Sequence, residues 1–126
     1  MTGERRILVV EDDGDLRQIY RLALSFAGFS VQEAVDGIDA LRRLDSDPPD
    51  LIVLDLMLPD LSGLVVQQEV AAHAHTRNIP VVIVTGSTLS LDHVDVPCVL
   101  RKPITPEQLI ETVRKCLAVG QAAGAS

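Results

Sequence analysis

Residues 51–63 read LIVLDLMLPDLSG: four apolar residues, an aspartate, a loop that Pro59 turns, and Ser62-Gly63 at the threshold of a new apolar stretch. An unbroken apolar run this short, bounded by turn residues, suits a strand covered on both faces rather than an amphipathic one. Asp55 then stands at the carboxyl end of a buried strand. Ile7 to Val10 and Val81 to Val84 repeat the pattern, giving three central strands. Residues 29–35 alternate, with Phe29, Val31 and Val35 apolar, as a strand nearer an edge does, and Cys98 to Leu100 opens a fifth.

Helical spacing fills the intervals. Leu16, Ile19, Tyr20, Ala23, Leu24 and Ala27 recur three and four residues apart and stop at Gly28, a fitting C′ glycine. Residues 36–44 carry Ile38, Leu41 and Leu44 on one face, and residues 62–75 carry Leu64, Val65, Val66 and Val70. Thr105, Pro106 and Gln108 supply an N-cap, a first-turn proline and a capping-box partner ahead of Leu109, Ile110, Val113 and Leu117. Strands alternating with helices predict an α/β, doubly wound parallel sheet. Residues 1–119 are read as one domain, and 120–126 (GQAAGAS), lacking an apolar face, as a flexible tail or the start of a linker.

The 126 residues are long enough to bury a core without a structural metal, and 47% hydrophobic content with 2% aromatics makes that core aliphatic. A net charge of −7 disfavours nucleic acid and anionic lipid as partners. Cys98 and Cys116 lie far apart with no CxxC, which reads as two reduced, packed thiols. The apolar run before Glu11 is too short for a signal peptide or membrane span, so the expected location is the cytoplasm. No GxGxxG or GxxxxGK[ST] motif occurs, which excludes the usual dinucleotide and P-loop signatures. His73, His75 and His93 are read as surface residues rather than metal ligands.

Ligands of open parallel sheets bind beyond the strands' carboxyl ends, so the residues after each apolar run carry the chemistry. These are Glu11, Asp12 and Asp13, then Asp55, then Thr85, Gly86 and Ser87, then Arg101, Lys102 and Pro103. Asp13 suits the N-cap of the first helix. Gathering Glu11, Asp12 and Asp55 is unfavourable alone: two like charges about 4 Å apart repel by roughly 4 kcal/mol at an effective dielectric of 20. Mg2+, which takes one or two carboxylates plus waters and phosphate oxygens, answers that repulsion, and Lys102 adds a fixed positive charge. Asp55, anchored yet exposed to a ligand, is the candidate nucleophile toward a phosphoryl donor, with the Thr85 hydroxyl donating to a phosphoryl oxygen.

In order and spacing, VVEDD, LDLMLPDLSG, IVTGS and RKP resemble the response-regulator receiver family over nearly the whole chain. The resemblance implies a flavodoxin-like (βα)5 sandwich of strand order 2-1-3-4-5. It further implies Glu11 and Asp12 as the acidic pair, Asp12 and Asp55 as direct metal ligands, and a metal-bound backbone carbonyl from Met57. Asp55 becomes the phosphoacceptor, with Thr85 and Lys102 as switch hydroxyl and phosphate-contacting lysine. Phosphoryl groups would come from a sensor histidine kinase, a phosphotransfer protein or a small donor. The domain would be a switch rather than a turnover enzyme; a phosphohydrolase with an aspartyl nucleophile would want a second Asp where Met57 stands.

Two departures from the family stand out. The stretch from Gly86 to Leu100 is short for a loop, helix and strand, so the fourth helix is expected to be truncated or irregular. Val99 occupies the usual position of a switch aromatic. These features keep open an alternative, a phosphorylation-independent docking module with a receiver fold.

Overall fold

The computed structural model describes residues 4–86 and 98–125, and side chains through Ala118. Five parallel strands, β1 (Arg6–Val10), β2 (Ser30–Ala34), β3 (Leu51–Leu54), β4 (Val81–Thr85) and β5 (Cys98–Arg101), form one sheet of order β2-β1-β3-β4-β5. The described helices are α1 (Gly14–Phe26), α2 (Gly37–Ser46), α3 (Gly63–Ala72) and α4 (Pro106–Ala125). The expected short helix between β4 and β5 falls outside the described residues, as does His93.

Strand periodicity divides the core. Ile7, Val9, Leu51, Val53, Val82 and Val84 face one way and pack with Leu24 of α1 and with Leu109 and Val113 of α4. Leu8, Val10, Ile52, Leu54 and Ile83 face the other way, against Ala40 and Leu44 of α2 and Val66 and Val70 of α3. The continuous apolar runs are therefore fully used, since both faces of the sheet are dry.

The ends of the helices follow their local chemistry. Asp13 caps α1 by accepting from the backbone N–H groups of Asp15 and Leu16, and Gly28, at φ +100°, ends it in a left-handed conformation that a side chain would resist. Thr105 and Gln108 cap each other reciprocally, N–H to Oε1 at 2.8 Å and N–H to Oγ1 at 3.1 Å.

Four expectations need correction. Ile38 is 51% exposed, because α2 packs through Gly37, Ala40 and Leu44, a stripe one residue out of phase with it. Helix α3 stops at Ala72 rather than His75, where the Thr76 hydroxyl, folding back, donates to the Val70 carbonyl at 2.8 Å. Helical backbone continues to Ala125, past the residue at which a tail was expected to begin. The cysteines, expected as separate thiols, are joined as a disulfide with Cα atoms 6.7 Å apart, because β5 begins beside the third turn of α4 in one core cluster. Among the described residues no helix is long and apolar enough to cross a membrane.

Candidate functional site

Register fixes which side chains meet. Val10 lies opposite both Ala34 and Leu54, so the next residues, Glu11 and Asp55, emerge side by side at the carboxyl edge. The ladder continues one step past the strands: the Asp55 N–H donates to the Val10 carbonyl at 3.1 Å and the Glu11 N–H to that of Ala34 at 3.2 Å. On the other side β4 pairs with β5 through Thr85 and Arg101, and the Lys102 N–H donates to the Thr85 carbonyl at 2.9 Å. Backbone hydrogen bonds thus carry four of the predicted residues to one place.

There Glu11, Asp12 and Asp55 each offer a carboxylate oxygen within 4.8 Å of the others. Glu11 and Asp55 are buried, 2% and 4% exposed, while Asp12 opens to solvent. The Lys102 ammonium spans the buried pair, donating to Glu11 Oε1 at 2.8 Å and Asp55 Oδ2 at 3.1 Å. The other Asp55 oxygen accepts from the Met57 N–H at 2.9 Å, so the side chain is held at both oxygens. The Met57 side chain itself is exposed. Thr85, the last residue of β4, is fully buried.

Among the described residues the electrostatics are unbalanced: three carboxylates gather beside one ammonium. Burial pushes the Glu11 carboxyl above its usual range; the Lys102 hydrogen bond opposes that, and the Asp55 charge adds to it. Burial pulls the Lys102 ammonium down, but its hydrogen bonds and attractions to Glu11 and Asp55 prevail, leaving it above the ordinary lysine value. Oxygen-only donors, an excess of negative charge and one carboxylate open to water are what a hard divalent cation such as Mg2+ requires. The residues present therefore fit that ion.

Other residues brace the site in ways the sequence did not advertise. Arg17 of α1 donates from Nη1 to the Glu11 carbonyl at 2.8 Å and from Nε to Glu33 at 3.1 Å, fastening the acidic turn to the end of β2. Asp60 accepts from the N–H groups of Gly37 and Ile38 at 2.9 and 3.0 Å, so the loop after Asp55 caps α2. A Cβ at Gly63 would lie 2.3 Å from the Asp55 carbonyl oxygen and 2.5 Å from Leu56 Cα, so only glycine lets α3 start against that loop. Aspartates and arginines near strand ends are the only signal for the first two, and it does not say which distant group each will meet.

Residues 7–114 match the response regulator receiver domain family. A curated relative, response regulator MprA of Mycobacterium tuberculosis, is 37% identical over 117 residues, covering 89% of this chain and 50% of its own length. The chain thus spans about half the length of the curated relatives it matches. Among solved structures, chemotaxis response regulator CheY4 of Vibrio cholerae superposes with a TM-score of 0.83 at 26% identity, covering 90% of this chain and 99% of that one. The signal receiver domain of a signal transduction histidine kinase from Syntrophus aciditrophicus gives a TM-score of 0.83 at 25% identity, covering 90% of each chain.

Proposed function

The chain belongs to the response regulator receiver domain family of two-component signalling, and from that premise we propose that Asp55 is its phosphoacceptor. The observation that carries the reading is the state of Asp55: a buried carboxylate held by the Met57 N–H and Lys102, beside two further carboxylates. Fixing both its oxygens aims the nucleophile without a further ordering cost.

In this reading Asp55 attacks phosphorus of a histidine-bound or small-molecule phosphoryl group, forming the Asp55 Oδ–P bond as the donor–P bond breaks and the donor keeps the electron pair. Lys102, already between Glu11 and Asp55, turns its ammonium toward the transferred oxygens, and the Thr85 hydroxyl donates to one of them. Glu11, Asp12 and Asp55, with the Met57 carbonyl, would hold Mg2+, which when bound supplies charge neutralisation for the incoming phosphoryl group. The phosphoryl state then biases two conformations of the domain and hence its partners. A sensor histidine kinase or phosphotransfer protein in the cytoplasm is the proposed upstream partner.

Intact mass after incubation with acetyl phosphate and Mg2+ tests this. The expected result is one added phosphoryl group on the wild type and none on Asp55→Asn or without the metal. An equal adduct on Asp55→Asn rejects Asp55 as the phosphoacceptor, and none on a folded wild type given either acetyl phosphate or a phosphorylated kinase rejects the phosphoryl switch and leaves the docking module.

A further inference from the structure

Glu11 is held at every polar atom. Its N–H donates to the Ala34 carbonyl at 3.2 Å, Oε1 accepts from Lys102 at 2.8 Å, and Oε2 accepts from the Asp13 N–H at 3.2 Å. Its carbonyl accepts from Arg17 Nη1 at 2.8 Å. That last bond acts beyond Glu11, because the Glu11 carbonyl and the Asp12 nitrogen and Cα belong to one planar peptide unit. Asp12 depends on it: among the described residues no hydrogen bond reaches its exposed carboxylate, whose aim therefore starts from the backbone that carries it.

Arg17 is itself held. Its Nε donates to Glu33 Oε1 at 3.1 Å, and Arg21 Nε stands 3.4 Å from the other Glu33 oxygen. Glu33 lies opposite Val9 in the sheet, one residue before the Ala34 carbonyl that anchors Glu11. The Arg17 side chain, only 19% exposed, thus bridges the end of β2 and the acidic turn. Its charge is paired with Glu33: among the described residues it forms no ion pair with Glu11, Asp12 or Asp55, so the pocket keeps its excess of negative charge.

We propose that Arg17 is a positioning residue for the cation pocket: by fixing the Glu11–Asp12 peptide against Glu33, it aims the Asp12 carboxylate and raises the affinity for Mg2+. The proposal rests on the reading that Glu11, Asp12 and Asp55 hold that ion. A guanidinium suits the task, since its planar fork meets two acceptors in fixed directions, whereas a lysine ammonium is a single charge on a flexible stem. Two simpler roles forecast different results. If Arg17 acted only by its charge, removing it would take a positive group away from the site and tighten Mg2+ binding. If it only satisfied the carbonyl of a buried residue, its loss would lower stability and leave the affinity of the folded protein unchanged. Positioning weakens binding instead, and weakens it for lysine too, which keeps the charge and loses the fork.

The test is Mg2+ titration of the full chain, followed by the 1H–15N amide resonances of Asp55 and Leu56 below the melting temperature of each protein. Arg17→Ala and Arg17→Lys are compared with the wild type and with Val70→Ala, a stability control that removes core packing from α3 on the other face of the sheet. Mg2+ affinity should fall about tenfold in Arg17→Ala, as for loss of an outer partner of a metal ligand, and by a smaller factor in Arg17→Lys. Val70→Ala should melt lower yet bind Mg2+ as the wild type does. Arg17→Lys decides the question should Arg17→Ala not fold. Affinity unchanged or tighter in every Arg17 variant that folds overturns the proposal and leaves the pocket standing, as does an equal loss of affinity in Val70→Ala. A wild type that binds no Mg2+ overturns the pocket reading and this proposal together.

Discussion

The two edges of the sheet handle charge in opposite ways. At the amino edge Arg6 is matched in place: its guanidinium meets Asp47 and the Pro48 carbonyl, its N–H meets Asp50, and Gln32 adds a second donor to Asp47. These groups face water, and Arg6, then Gln32, hold the Asp47 carboxyl below its usual range. At the carboxyl edge two carboxylates are buried and share the Lys102 ammonium, and a third carboxylate, that of Asp12, stands beside them. Exposed, matched ion pairs stitch segments together at little net energy. Buried, unmatched charge costs stability and persists where a site needs it.

The comparison breaks most visibly at Lys102. Replacing it with Met strands two buried carboxylates; in Mg2+-free buffer the fold should lose about 3 kcal/mol by denaturant unfolding, the low end for a broken buried pair because protonation of Glu11 relieves part of it. Phosphoryl uptake should fall by at least about a hundredfold. Gly63→Ala should cost about 1–3 kcal/mol, since the obstructing atoms are backbone and cannot swing aside.

Acid titration gives the two edges opposite signs. Glu11 titrates above its ordinary value of 4.5, so the native state binds that proton more tightly than the unfolded chain. Its penalty at neutral pH is removed as pH falls through the raised value, and Glu11→Gln should abolish that gain in Mg2+-free melts. Asp47 titrates below 3.8, so its contribution is present above that value and lost as pH falls through the depressed one. Smallest of all, Arg6→Ala should barely move Tm, and the change should shrink further in 1 M salt.

The sequence made the strands, the helix caps and the cluster of site residues readable because each depends on near neighbours: apolar runs, Asp13, Thr105 with Gln108, and polar residues directly after strands. Parallel topology then places those strand ends together. Contacts across the fold were hidden. Nothing near Asp60 announces that it will cap α2, nothing near Arg17 that it will hold the Glu11 carbonyl, and eighteen residues separate Cys98 from Cys116. Ile38 was misjudged because an apolar residue in the first turn satisfies a helical pattern without lying on the face that packs.

The most direct test of the central claim, that the carboxyl edge carries an excess of negative charge suited to a divalent cation, is the Tm of the wild type and Asp12→Asn with and without Mg2+. The account predicts that Asp12→Asn melts higher than the wild type in metal-free buffer, and that Mg2+ raises the wild type much more than the variant. A wild-type Tm indifferent to Mg2+, or a metal-free Asp12→Asn that melts lower, would contradict it.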